Sequence, residues 1–227
     1  MNYADTYGPK VLSDFHHDDQ KLAAMNYAGG NNTRPLLLYG PAGTGKTAFA
    51  RALAENLCAD VSQHDIMFIN GSMENSIDTV REKIATFASV TKFNEKGLSI
   101  IIIDEADGFS GSAQNALKAE IDRVMPYTLF ILTTNHLEKL AAPVRDRCKA
   151  AHCPWPMPGE LLPLAQKILL AEGETISDEK LLQVLGADYA YIRGLSYRQM
   201  FQRLEDLVGL RRLRGIGNPT AAEVKLS

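Results

Sequence analysis

Apolar positions along this chain follow two regimes. Up to residue 153, short continuous apolar runs alternate with segments whose apolar residues recur every three or four positions. Leu36-Leu37-Leu38-Tyr39, Ile66-Met67-Phe68-Ile69, Leu98 to Ile103 and Thr128 to Asn135 are runs of strand length. The β-branched stretch Ile100-Ile101-Ile102-Ile103 is too continuous to alternate, which predicts a strand buried on both faces of a parallel sheet. Between these runs, Asp18–Tyr27, Ala48–Ala54, Ile77–Ala88 and Ser112–Met125 carry helical spacing. Alternating strands and helices predict an α/β fold, a parallel sheet flanked by helices.

Beyond residue 159 only the helical period continues, over Glu160–Ala171, Asp178–Leu185 and Ser196–Arg214, and these predict a small all-helical domain. The two regimes meet at Pro154-Trp155-Pro156-Met157-Pro158-Gly159, where three prolines in five residues make a stiff connector. The expected organisation is therefore a first domain over 1–153, a linker over 154–159 and a helical domain over 160–227. The tail from Gly215 is too polar and broken to assign to an element.

One stretch carries chemistry outright. Gly40-Pro41-Ala42-Gly43-Thr44-Gly45-Lys46-Thr47 lies between the first predicted strand and the first long helix, the context in which G-x-x-x-x-G-K-T is a phosphate-binding loop. Glycines there let successive N–H groups turn toward one anion, and the following helix aims its positive end at it. Lys46 is then placed to reach the β- and γ-phosphates of a nucleotide, and Thr47 to offer its hydroxyl to Mg²⁺. The third strand stops at Asp104-Glu105, and carboxylates at such a strand end lie where open α/β sheets bind ligands. Asp104 is the candidate Mg²⁺ ligand and Glu105 the group that polarises an attacking water. Asn135, at the end of the fourth strand, is either a turn residue or a γ-phosphate contact that positions the water.

Composition adds bounds. A net charge of −3 gives no global basic signature, so nucleic-acid contact would have to come from a local patch. Cys58, Cys148 and Cys153 are odd in number and widely spaced, which suits reduced thiols, and no paired C-x-x-C points to zinc. No apolar run reaches membrane-spanning length and no basic-then-apolar leader opens the chain, so a cytoplasmic, nucleoid or nuclear location is expected, without secretion or membrane partners.

The order of phosphate loop, acidic strand end, strand-end Asn, arginine pair, proline linker and helical lid resembles the AAA+ ATPases, and within them the small ATPase subunits of sliding-clamp loaders. Tyr7-Gly8-Pro9-Lys10 is similar to a tyrosine-arginine-proline-lysine element near the adenine, with Gly8 in place of arginine. Ile69-Asn70-Gly71-Ser72 followed by Ile77–Arg81 is similar to the asparagine-x-serine strand end and its helix. Asp104-Glu105-Ala106-Asp107 leads into Ala113-Gln114-Asn115-Ala116-Leu117-Lys118, much like the loader pattern D-E-A-D then A-Q-x-A-L-[RK]. Arg145-Asp146-Arg147-Cys148 looks like the serine-arginine-cysteine motif with Asp146 for serine.

That resemblance implies an ATPase using ATP and Mg²⁺, with Tyr7 and Pro9 near the adenine. Arg147 is implied as an arginine finger reaching a neighbouring subunit's site, and Arg198 as the lid arginine that senses the γ-phosphate. It implies assembly with like or related subunits through Arg147, and loading of a sliding clamp onto primer-template DNA. Hydrolysis stimulated by DNA and partner protein, and backbone contacts from Arg81 and Lys118, belong to the same reading. Taken alone, those two cations equally describe a solvated helix surface. Loader subunits continue into a helical collar, for which no counterpart is read after the lid-like helices. A helicase loader or branch-migration motor is the alternative within the family. The helicase class that shares the spelling D-E-A-D needs a second ATPase lobe, and only about seventy residues follow the linker.

Overall fold

The computed structural model describes residues 2–15, 17–28, 32–58, 65–90, 92, 94, 97–125, 127–186 and 194–213. Arg214 and the tail from Gly215 lie outside the described residues. Two compact units result, Pro9–Pro154 and a second that joins Met1–Gly8 to Trp155–Ser227.

The first unit is built on five strands, β1 (Leu36–Tyr39), β2 (Ile66–Asn70), β3 (Ser99–Asp104), β4 (Thr128–Thr134) and β5 (Lys149–His152). All neighbours are parallel, in the order β2-β3-β4-β1-β5. Its helices are α2 (Asp18–Ala28), α3 (Lys46–Leu57), a π-helical turn Thr79–Ile84 that runs into α4 (Ala85–Ser89), α5 (Gly111–Val124) and α6 (Ala142–Arg145). Successive strand residues point to opposite faces, so the continuous apolar runs feed two cores. Leu36, Leu38, Ile100, Ile102, Leu129 and Ile131 pack with Tyr27, Phe49 and Leu53 of α2 and α3. Leu37, Ile101, Ile103, Phe130 and Leu132 pack with Val80, Ile84, Leu117 and Ile121 on the other side. Each such side chain withdrawn from water contributes about 1.5–3 kcal/mol, which is why the central strands read as unbroken apolar runs.

Strand β5 was not predicted. Lys149-Ala150-Ala151-His152 has no β-branched residue, and it is a strand because β1 offers it a partner: Leu36 pairs with Lys149 and Tyr39 with His152. On its own side the His152 N–H donates to Asp19 Oδ2 at 3.1 Å, which ties α2 to β5.

The second unit contains α7 (Pro158–Ala171), α8 (Asp178–Val184) and α9 (Tyr197–Leu213), as the helical period predicts, and adds α1 (Tyr3–Tyr7). Helix α7 begins inside the expected linker, with Pro158 in its first turn, where a missing N–H costs nothing. The first eight residues belong with this unit and not with the sheet, which corrects the boundary drawn at residue 1. Tyr3 is the physical reason: its ring sits in the core of Leu161, Ile168, Leu181, Phe201 and Leu204, and its N–H donates to Glu205 Oε1 at 2.5 Å. Asn2 caps α1 by accepting from the Ala4 N–H.

A candidate nucleotide site at the strand ends

Because β3, β4 and β1 are adjacent and parallel, the chain leaves them along one edge, at Asp104, Thr134 and Tyr39. That edge is where an open α/β sheet presents its ligand crevice. Gly40 follows β1 with φ 147°, donates its N–H to Thr134 O at 3.3 Å, and passes so near Cys153 that a Cβ there would stand 2.2 Å from the Cys153 carbonyl oxygen. Gly45 adopts φ 81°, a left-handed conformation that any Cβ would strain, and caps α3 without a side-chain bond. The first-turn N–H groups of α3 therefore project toward the loop.

Lys46 lies back across that loop, nearly buried, with Nζ donating to Gly40 O at 2.8 Å and Pro41 O at 2.7 Å. Burial pulls its ammonium below the ordinary lysine value, opposed by the negative groups Cys153, Asp104 and Asp107 can carry. A cation held away from water by two carbonyls is one that an incoming polyanion stabilises.

Two hydroxyls converge on Asp104: Thr47 Oγ1 donates to Oδ1 at 2.7 Å and Thr133 Oγ1 to the same oxygen at 2.6 Å. Thr133 Oγ1 also accepts the Glu105 N–H at 3.1 Å. Among the described residues Glu105 is the one non-glycine with positive φ, 52°, a conformation costing about 1–3 kcal/mol unless its surroundings hold it. They do hold it. Besides the Thr133 contact, the Glu105 carbonyl accepts the Gly108 N–H at 2.8 Å, and the turn after β2 reaches over to donate Gly71 N–H to Asp104 O at 2.7 Å. Asp107 accepts from Thr134 Oγ1 at 2.6 Å. A hydroxyl and a carboxylate side by side are the hard oxygen donors that Mg²⁺ takes, its other positions filled by phosphate and water, so Thr47 and Asp104 fit that ion.

Asn135 is the exposed residue next after Thr134, on the edge that carries the loop and Asp104. The structure therefore brings Gly40–Thr47, Asp104, Glu105 and Asn135 to one edge. Arg147, just after α6, is instead held on α5: Nε donates to Asp122 Oδ1 at 2.6 Å, Nη2 to Oδ2 at 2.7 Å and Nη1 to Pro143 O at 2.8 Å. The bond from Arg147 holds the Asp122 carboxyl below its usual range, and the same contact raises the guanidinium. Arg81 is exposed on the π-helical turn, and Lys118 is half-buried on α5, which packs against that turn. Pro9 opens the sheet unit. Tyr7 and Arg198 belong to the helical unit, where the Tyr7 hydroxyl donates to Glu172 Oε1 at 2.7 Å and Arg198 stands exposed on α9.

Three polar residues to which sequence reasoning gave no role are Thr133, Asp122 and Gln114. Gln114 is buried on α5, its Nε2 donating to Phe109 O at 3.1 Å and Lys139 O at 3.3 Å while its Oε1 accepts the Ala141 N–H at 2.6 Å. A threonine one residue before a strand end was a usable signal, once β4 is known to lie beside β3. Nothing local marks Asp122.

Residues 36–152, just over half of the chain, match the family described as "ATPase family associated with various cellular activities (AAA)". The Replication factor C small subunit of Picrophilus torridus is 35% identical over 147 residues, 64% of this chain and 46% of that one. Replication factor C subunit 5 of Mus musculus is 32% identical over 181 residues, 79% of this chain and 53% of that one. The Archaeoglobus fulgidus Replication factor C small subunit is 31% identical over 209 residues, covering 89% and 62%. The chain thus spans about half the length of the curated relatives it matches. Among solved structures, Caenorhabditis elegans PCH-2 aligns with a TM-score of 0.58 over 91% of this chain and 73% of that one, and at 17% identity this likeness bears on the fold alone. Phosphate loop, carboxylate strand end and parallel order agree with the family match, and the chain belongs to the AAA family of ATPases.

Proposed function

We propose that this chain is an ATP-hydrolysing subunit that works within an oligomer, and that the oligomer loads a sliding clamp onto primer-template DNA. The observation that carries the ATPase reading is the joint fastening of Asp104 and Glu105 by Thr133, beside a phosphate loop whose lysine is nearly buried. In this reading Gly40 to Thr47 wrap the phosphates and Lys46 exchanges its two carbonyl partners for phosphate oxygens. Thr47 and Asp104 hold Mg²⁺, which when bound offsets charge on the β- and γ-oxygens. Glu105 accepts the proton of the attacking water, and Asn135 orients that water against the γ-phosphate. Tyr7 and Pro9 are assigned to the adenine and Arg198 to the γ-phosphate by their match to the family's motifs.

Arg147 is assigned to the neighbouring subunit's site, where a guanidinium spreads transition-state charge and contributes several orders of magnitude in rate. Clamp loading is supported by the relatives named Replication factor C, and Arg81 and Lys118 are proposed to contact the DNA backbone without reading its sequence.

Mixing subunits tests the core of the proposal. Lys46→Ala subunits cannot bind ATP but keep their Arg147, and Arg147→Ala subunits bind ATP but donate nothing. Each alone should hydrolyse at least about 100-fold more slowly than the wild-type assembly. Their mixture should recover activity, since intact halves meet at some interfaces. A mixture no faster than the sum of its parts refutes the trans arrangement. Stimulation by DNA alone, unchanged by added clamp, would favour a branch-migration motor over a loader.

A further inference from the structure

Arginine has five N–H donors in one plane, and the contacts at Arg147 use three of them in a particular way. Asp122 takes the side-on pair, one from Nε and one from Nη2, and the Pro143 carbonyl takes one from Nη1. The two that remain lie one on each terminal nitrogen, the pair of atoms that makes up the guanidinium's end-on fork. A paired fork of this kind is the geometry in which guanidinium meets phosphate oxygens bidentately. From this placement we infer that Asp122 is the positioning residue for Arg147: its carboxylate locks the guanidinium side-on, so the end-on fork is presented ready-made to the neighbouring subunit's nucleotide.

The inference rests on Arg147 being the finger, and it goes beyond that assignment by naming what aims it. Asp122 lies in the last turns of α5, and Arg147 lies just past α6, which packs on α5. Two elements of the sheet unit therefore fix the guanidinium's direction. Both side chains keep access to water, 27% for Arg147 and 48% for Asp122, so the pair is screened and weak as a source of stability. Its geometry is nevertheless bidentate, the form in which an arginine's many rotamers collapse to one. A surface ion pair that stabilises little and orients much has its effect on what the arginine touches next.

The experiment uses the assembled ATPase and four variants: Asp122→Asn, Asp122→Glu, Arg147→Ala, and Asp122→Asn combined with Arg147→Ala. Asparagine can accept one bond but cannot take both side-on donors. Asp122→Asn should lower kcat about tenfold to 100-fold with KM within about twofold, because the aimed guanidinium acts on charge that develops in the transition state. Asp122→Glu, which keeps the carboxylate, should restore most of the loss. The double variant should be no slower than Arg147→Ala.

A readout independent of turnover is the Arg147 side-chain ¹⁵Nε–H signal, which should exchange with solvent at least about tenfold faster in Asp122→Asn than in the wild type. Full kcat in Arg147→Ala would overturn the finger assignment itself. A large loss in Arg147→Ala with none in Asp122→Asn would overturn the positioning role and leave the finger standing. A double variant slower than Arg147→Ala, or unchanged Nε–H exchange, would also overturn it, since Asp122 would then act apart from Arg147.

Discussion

Replacing Gln114 with leucine removes one side chain and strands three backbone groups. The amide nitrogen serves the Phe109 and Lys139 carbonyls, and the amide oxygen serves the Ala141 N–H, so this residue clips the start of α5 to the segment that follows β4. The bond to Phe109 is wholly buried, while those to Lys139 and Ala141 reach the edge of solvent. An unsatisfied buried polar group costs about 1–3 kcal/mol, the lower figure holding where water can enter. Three groups thus sum to about 4 kcal/mol, and burying leucine's extra apolar surface returns about 1 kcal/mol. The net loss of about 3 kcal/mol is a large share of a domain's usual ~5–15 kcal/mol, and should lower Tm by about 6–12 °C. Urea unfolding followed by far-UV circular dichroism measures the loss, and hydrogen exchange locates it at the Ala141 amide. Trp155, the one tryptophan, lies in the helical unit, so its fluorescence follows that unit and serves as an internal control. A stability change under about 1 kcal/mol, with Ala141 protected as before, would refute the reasoning.

Two further outcomes follow from groups in both units. The Glu172 carboxyl is held below its ordinary 4.5 first by the Tyr7 hydroxyl and then by Arg212, so the stability it contributes is present above that value and lost as pH falls through the lowered one. Tyr7→Phe should therefore reduce the helical unit's stability at neutral pH by about 1 kcal/mol and flatten its acid dependence, measured by Trp155 fluorescence during unfolding from pH 6 to 3. Burial pushes the Cys148 and Cys153 thiols up to about 12, which predicts that neither reacts with iodoacetamide at pH 8 in the native protein and both do in urea. Mass spectrometry of labelled peptides checks this, and rapid native labelling of either thiol would contradict the burial argument.

What could be read from the chain alone was whatever its own neighbours decide. The phosphate loop is eight contiguous residues whose glycines and lysine act together, and β3 advertises itself by four consecutive isoleucines. Asp104 and Glu105 were legible because they end that run. Elements whose state is settled by a distant partner were not. Residues 149–152 are a strand only because Leu36 to Tyr39 lie alongside, and Tyr3–Tyr7 are held by a core more than 150 residues away in sequence. The same holds within the site. Thr133 acts on Asp104 because β4 lies next to β3, and Asp122 meets Arg147 because α6 folds back onto α5.

The position of β1 between β4 and β5 has a consequence for how the chain is made. The glycine that opens the phosphate cradle nests against the carbonyl of Cys153, and its strand finds both partners only among residues 131–134 and 149–152. During synthesis the ribosome must add the 113 positions that separate Gly40 from Cys153 before that contact can form, roughly 6–23 s at ordinary elongation rates. A nascent chain stalled short of β5 would carry every residue of the loop while lacking the strand that flanks β1 and the carbonyl against which the loop's first glycine nests.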